Sequence, residues 1–450
     1  IFEVNLIIFN FVLSNKNTIS LVEMFNLNNI FEAVESLDLD CIMELMKTLI
    51  RIDTSVPPGN SYREYVNAIS PYFIELGFSL KEIIVPEEIV KKIPYPLNGS
   101  RINLVATKNY DQEAFIAFYG HMDVVPATNK GDKKWRHPPF EATLTKSGRI
   151  YGRGTADMKG SMVCLILALQ LINKLNLIPK YNIQVLNCTD EEVGVYPGVR
   201  YLAEKGYING TMFCMDGVII PLIPIGTAGD LNIIIETIGK SCHSGRNFLG
   251  VNALEEMIPI LNELMKLKKN VEKRRSKDIP GDPRDKTSKK LRPMFSFVII
   301  KSGEKENIIP GYCQLIINRR IIPDEDYEEV KQELLEAIKK GKAQSKALQF
   351  NTTFKYDNPP LEVNPDAPAI KRWKKTISLV ENIKEENIQT IGSSESTDMG
   401  YVAQILNADD IIISGVESAI SNTHGVNEFV RIKDIKTLIK EIIVFLCADF

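Results

Sequence analysis

Cysteine pairing is missing from this chain. The seven cysteines, at positions 41, 164, 188, 214, 242, 313 and 447, are odd in number and scattered, and no Cys-x-x-Cys occurs. This argues against a disulfide framework or a cysteine-built zinc site and for a reducing compartment, so a cytoplasmic location is expected. A surplus of positive charge is missing too. The net charge of -3 gives no general pull toward nucleic acid or anionic membrane, and neither is expected as a partner. The apolar run Ile1–Leu13 is too short to span a bilayer and lacks the basic start of a signal peptide. Ile1 is an unusual first residue and Met24 begins a more ordinary sequence, so residues 1–23 are expected to be an extension outside the fold. Repeats and low-complexity tracts are absent. Histidine is scarce: only His121, His137, His243 and His424 occur, so the setting of each is informative.

What is present fits a globular protein. At 450 residues the chain is too long for one ordinary core, and two domains are expected. The apolar run Tyr181–Leu186 reads as a buried strand. It runs into Asp190-Glu191-Glu192, three like charges at a strand end, where α/β proteins place their chemistry. A nearby cation turns their repulsion into binding energy. A second strand, Ala114–Tyr119, leads into Gly120-His121-Met122-Asp123. In extended chain His121 and Asp123 face the same side, and a metal-binding histidine commonly gives its second nitrogen to a carboxylate. Gly152-Arg153-Gly154-Thr155-Ala156-Asp157-Met158-Lys159-Gly160 precedes a core-facing helix, Ser161–Leu175, which puts Asp157 at a helix start. Thr211–Met215 is a strand ending at Asp216.

The rhythm then changes. Strands at Leu231–Ile238, Phe295–Ile300, Gly311–Arg320 and Leu348–Lys355, with helices at Val251–Leu267 and Asp326–Gly341, predict a small α+β unit inserted in the larger fold. Lys268–Arg292 reads as an exposed, solvated loop. From Asn364 the α/β rhythm returns, with a polar turn at Gly392–Asp398 and Asn422-Thr423-His424-Gly425-Val426-Asn427-Glu428 before the closing helix Lys433–Cys447.

In this order the motifs resemble the M20 family of metallopeptidases and amidohydrolases, which includes acetylornithine deacetylases, succinyl-diaminopimelate desuccinylases, aminoacylases, carboxypeptidases and dipeptidases. The resemblance spans Gly120–Glu428. It implies an α/β, zinc-exopeptidase-like three-layer catalytic domain (residues 24–226 and 360–450) with an inserted α+β, ferredoxin-like lid and dimerisation domain (227–359). It implies two divalent metal ions, most simply Zn2+, with Co2+ or Mn2+ as alternatives. His121, Asp157, Glu192, Asp216 and His424 match the metal ligands, with Asp157 as the bridge, and the peptide bond after Asp157 is expected to be cis. Glu191 matches the general base and Asp123 the partner of His121. His243 matches the histidine that reaches substrate across a homodimer interface. Asn307 and Arg320 resemble substrate-carboxylate contacts. Asn318 stands where aspartate is common, and the 392–398 turn is a loose match; both departures blur substrate specificity. The implied reaction is hydrolysis of an N-acyl amino acid or short peptide. Asp216, where some branches use glutamate, favours the deacylase side. A dipeptidase or carboxypeptidase with the same centre is the alternative. A non-catalytic binding protein of this fold is disfavoured because the base and all five ligands are present.

Overall fold

The structure, a computed structural model, describes residues 21–93, 95–129, 134–194, 196–219 and 221–450. Most of the expected N-terminal extension lies outside these residues; positions 21–23 open a helix, Leu21–Glu35. The fold is α/β, and its buried apolar side chains divide into two clusters.

The larger cluster surrounds a six-stranded sheet. Its spatial order is β1 (Ser79–Ile84), β2 (Ile102–Lys108), β4 (Asn182–Cys188), β3 (Phe115–His121), β5 (Thr211–Cys214) and β10 (Ile411–Ile413), numbered along the chain. The last four run parallel, and β1 and β2 add an antiparallel edge. Every residue of β4 is buried, because helices cover both faces of a parallel sheet. Its sequence is not simply apolar: Asn182, Gln184 and Asn187 are buried with it, and Asn182 and Gln184 donate to the backbone carbonyls of Gln112 at 2.7 Å and Tyr207 at 3.1 Å. Helix α1 (Lys159–Lys174) makes the crossover that parallel neighbours β3 and β4 require. It is buried on every side from Lys159 to Leu169, packed between β3, the helix Leu39–Ile50 and α4 (Ile432–Cys447). The carboxyl ends of β3, β4, β5 and β10 therefore open on one edge of the sheet.

The chain leaves this unit after Leu222–Thr227 and returns at Leu361–Glu362, two short strands that pair with each other. Between them lies a four-stranded antiparallel sheet of order β7 (Met294–Ser302), β8 (Tyr312–Ile321), β6 (Gly229–Ile238) and β9 (Gln349–Asn358). Burial alternates strictly along β6 and β8, as in a sheet with one covered face. Helices α2 (Ala253–Val271) and α3 (Tyr327–Lys342) cover it.

Two local expectations are corrected. Helix α2 runs to Val271, and the segment after it is not simply a solvated loop. Ser276, Ile279 and Leu291 are buried, with Ile279 against Gly226 and Gly392 of the larger unit. A segment rich in Lys, Arg and Asp hides two apolar anchors. The 392–398 turn is also partly strand: Gln389–Ser393 pairs with Leu222–Thr227. These strands are too short to show a clear period.

The lid helices meet where a Cβ on Gly341 would lie 2.4 Å from the Ile260 Cα. Gly341→Ala should therefore wedge α2 from α3 and destabilise the lid by about 1–3 kcal/mol. Thermal unfolding should register the loss while metal content stays at the wild-type value.

Candidate metal centre

The edge where the parallel strands end gathers the acidic motifs. His121 closes β3, Asp190–Glu192 follow β4, Asp216 follows β5, and the loop carrying His424 follows β10. Asp157 stands just before α1, and the Asp157–Met158 peptide is cis, as the resemblance implies. One Asp157 oxygen lies 3.1 Å from His121 Nε2, and the other lies 2.9 Å from His424 Nε2. His121 Nε2 is 3.9 Å from Asp216, and His424 Nε2 is 3.0 Å from Glu192. Two groups of ligand atoms result, His121–Asp157–Asp216 and Asp157–Glu192–His424, each within 4.8 Å and sharing Asp157.

The expected His121–Asp123 partnership takes a different form. His121 Nδ1 lies 3.0 Å from the Asp123 backbone carbonyl and 3.7 Å from its carboxylate. Donation to that carbonyl would leave the Nε2 of neutral His121 free to face a cation between Asp157 and Asp216. The Asp123 carboxylate instead accepts the Glu192 backbone N–H at 2.9 Å, fixing the turn after β4. The three consecutive acids also part company. Asp190 turns to Arg101 and Tyr62, while Glu192 joins the ligand group.

Electrostatics match a site built for cations. Burial, followed by the charge of Asp157, pushes the Asp216 carboxyl well above the usual range. Burial likewise raises Glu191 well above that range, opposed by His121 and reinforced by Asp398, Asp216 and Glu192. Burial and Asp157 lift Glu192 to about 6. Burial disfavours ionised Asp157, but hydrogen bonds to the two histidines overcome it and hold that carboxyl well below its ordinary value. Bonds to Asp157 and Glu192 raise His424 to about 11. Glu192 Oε1 and Asp123 Oδ1 are buried without a hydrogen-bond partner. Carboxylates crowded around two histidines, with oxygens left unpartnered, fit divalent cations that take nitrogen and oxygen ligands.

Several supporting residues escaped the sequence reading. Glu428 accepts Arg153 Nη1 at 2.6 Å with one oxygen. Its other oxygen accepts the N–H groups of Gly154, Ala156 and Asp157 at 3.0–3.2 Å, which pins the turn that presents Asp157. Both residues lie inside the quoted motifs, but nothing in the spacing pairs them. Asp398, buried, accepts the Tyr119 hydroxyl two residues before His121. Glu417 accepts the Thr423 hydroxyl at 2.6 Å, beside His424. Of the remaining sequence candidates, Arg320 Nη1 donates to Ser396 at 3.0 Å, tying β8 to the 392–398 turn. His243 is exposed on the lid, pairs with Ile308, and lies beside Asn307, whose carbonyl accepts Ser244 N–H at 2.9 Å. Neither makes a hydrogen bond or ion pair to the ligand groups among the described residues. Asn318 donates to Asp230 at 2.5 Å and to Asn232 at 3.0 Å. The fourth histidine, His137, packs on Tyr151, with ring centroids 4.7 Å apart.

The profile of the family described as Peptidase family M20/M25/M40 matches residues 117–446, from β3 into the closing helix. The chain belongs to that family. It is a metallo-hydrolase acting on amide bonds. It is 28% identical over 407 residues to the succinyl-diaminopimelate desuccinylase of Vesicomyosocius okutanii, covering 88% of this chain and 96% of the relative. The fold is that of the dipeptidase Dug1p from Saccharomyces cerevisiae, with TM-score 0.73, 18% identity, and 93% and 97% of the two chains covered. It is also that of Bacillus subtilis YXEP, described as a dinuclear metal binding peptidase from the M20 family, with TM-score 0.56, 14% identity, and 91% and 98% covered. No helix among the described residues is long and apolar enough to cross a membrane.

Removing metal from this M20 protein should expose the electrostatic conflict. Glu192 and Asp398 are raised to about 6, and Glu417, chiefly by burial, to about 7. A carboxyl raised in the folded state stabilises the fold at low pH, and that contribution is lost as pH climbs from the unfolded value of about 4 through the folded one. The raised His424 acts in the same direction above about 6.5. Thermal scans of chelator-treated protein should show its melting temperature falling from pH 5 to pH 7.5, and added Zn2+ should restore it.

Proposed function

We propose that this chain hydrolyses the amide bond of an N-acylated amino acid, and that two divalent cations, most simply Zn2+, act with it. His121, Asp157 and Asp216 would hold one ion; Asp157, Glu192 and His424 would hold the other. The observation that carries this reading is the shared Asp157, whose two oxygens face different histidines. Such ions, when bound, would supply Lewis-acid polarisation of the scissile carbonyl and acidify the attacking water. Glu191, with its carboxyl raised by burial, is suited to take that water's proton and return it to the leaving nitrogen. Asp123 orients His121 through its carbonyl and Glu192 through its carboxylate. The desuccinylase named among the relatives supports an acylated amino-acid substrate. The dipeptidase fold neighbour keeps a short peptide as the second reading. A cytoplasmic setting accords with seven cysteines that are all free.

His243 and Asn307 lie on the lid, exposed and half-buried, and we take their substrate role to be played toward the site of a second copy, as the family resemblance implies. Strand β7 supports one: it is a sheet edge, and Val298, Ile299 and Ile300 on it are 51%, 40% and 51% exposed. An apolar open edge is a surface that a second copy covers. Residues 24–226 with 360–450 are proposed as the catalytic domain and 227–359 as the lid, with Arg320 from the lid meeting the substrate carboxylate.

Protein purified without chelator should contain about two zinc-type ions per chain. It should hydrolyse acetylornithine or succinyl-diaminopimelate faster than dipeptides; the reverse preference would select the peptidase reading. Glu191→Gln should keep the metal and lose about 10²–10⁴-fold in kcat, and undiminished turnover with metal bound would refute the assigned base. Val298→Lys with Ile300→Lys should yield monomers by sedimentation and cut kcat about 10²–10³-fold by withdrawing His243. A fully active monomer would remove the cross-subunit role.

A further inference from the structure

The turn that carries Glu191 and Glu192 is held by a buried cation outside the quoted motifs. Arg101, with no solvent exposure, precedes β2. Its Nε donates to Asp190 Oδ2 and its Nη2 to Asp190 Oδ1, both at 3.2 Å, and the Tyr62 hydroxyl adds a bond to Oδ1 at 3.0 Å. The other N–H groups of Arg101 reach the carbonyls of Pro58 at 2.7 Å, Gly99 at 3.1 Å and Gly59 at 3.4 Å, and that of Asn98. One guanidinium thus ties two loops to the acidic turn. Gly59, at φ +74°, is required there: a Cβ would lie 2.8 Å from Nη2.

What Arg101 holds is a specific conformation. Asp190 has φ 62°, in the left-handed region that a residue with a Cβ enters at a cost. At this residue the chain breaks from the direction of β4, so that Glu192 N–H meets Asp123 and Glu192 Oε2 meets His424. One residue earlier, Thr189 N–H donates to Asn103 at 3.0 Å. The turn is therefore gripped at 189, 190 and 192 by side chains from β2, its approach, and the end of β3. Only the grip at 190 carries opposite charge. Without it, a buried carboxylate would face Asp123 with no counter-charge of its own.

We propose that Arg101 is a positioning residue for the metal centre: by fixing Asp190 in the left-handed turn, it aims Glu192 at the cation group it shares with His424, and Glu191 at the substrate. The proposal rests on the two-cation reading. Arginine is needed for its fork, because a lysine ammonium restores the charge but cannot span both Asp190 oxygens and the neighbouring carbonyls.

The test is a titration of the chelator-stripped full chain with Co2+, followed by visible absorption and calorimetry, with circular dichroism to verify folding. The wild-type chain should bind two ions. Arg101→Met with Asp190→Asn removes both buried charges together, leaving neither unpaired. That variant should bind one ion at wild-type affinity and the other about 10–100-fold more weakly, the usual effect of losing a residue that orients a ligand. Arg101→Lys should fall between the two. With acetylornithine as probe, kcat should fall more than KM rises. A folded double variant that binds both ions as the wild type does would overturn the proposal. If the double variant does not fold, unchanged affinities in Arg101→Lys would overturn it equally. A wild-type chain that binds no Co2+ would remove the two-cation reading, and this proposal with it.

Discussion

Asp157 faces a different histidine with each carboxylate oxygen, and the arrangement of the site follows from that. A carboxylate used on both sides must be presented by backbone that cannot swivel, with the two histidines arriving from separate parts of the sheet edge. Asp216 and Glu192 complete the two groups, so anionic oxygens crowd a partly buried volume. Burial first, and then the charge of Asp157, raises the pKa of both Asp216 and Glu192. Divalent cations offset that crowding, and the amide chemistry of the M20 family uses the same charge.

The rest of the larger domain restrains this centre from a distance. Glu428 comes from the far end of the chain to hold Arg153 and three consecutive-turn N–H groups around Asp157. Arg101 and Tyr62 take Asp190 away from the cluster, so that its charge is neutralised by protein rather than added to the ligand set. Asp123 serves two ligands at once, His121 through its carbonyl and Glu192 through its carboxylate. All three restraints are charge-assisted or buried, where such bonds are strong and costly to leave unmade.

The lid is joined to this domain by more than its two crossing strands. Ile279, from the segment after α2, packs on Gly226 and Gly392, and Gly392 N–H donates to Pro280 at 2.9 Å. Arg320 reaches Ser396 on the same turn. The lid's own core is separate, built from alternating residues of β6 and β8 against α2 and α3. Its fold therefore rests on its own core, apart from these contacts with the 392–398 turn.

The sequence by itself determined the elements with strong periods, and its motif order named the five residues that the fold gathers into two groups. The long helix α1 can be read from one dimension, because burial on all sides leaves a nearly unbroken apolar segment, whereas β4 is buried as fully yet interrupted by Asn182, Gln184 and Asn187. The candidate ligands came from the resemblance of the ordered motifs to the M20 family, because His-x-Asp or Asp-Glu-Glu taken alone reads equally well as a solvated turn. Short strands such as Leu222–Thr227 and Gln389–Ser393 could not be read, since their pairing is set by partners far along the chain. Nor could Ile279 and Leu291, two apolar anchors in a segment whose charge says solvent. Only the tertiary structure decided that Asp190 belongs to Arg101, that Asp123 supports His121 through its backbone, and that Glu428 grips Asp157. Each of these is a contact between side chains and backbone brought together by sheet order, and hydrogen-bond geometry at that range leaves no period in the sequence.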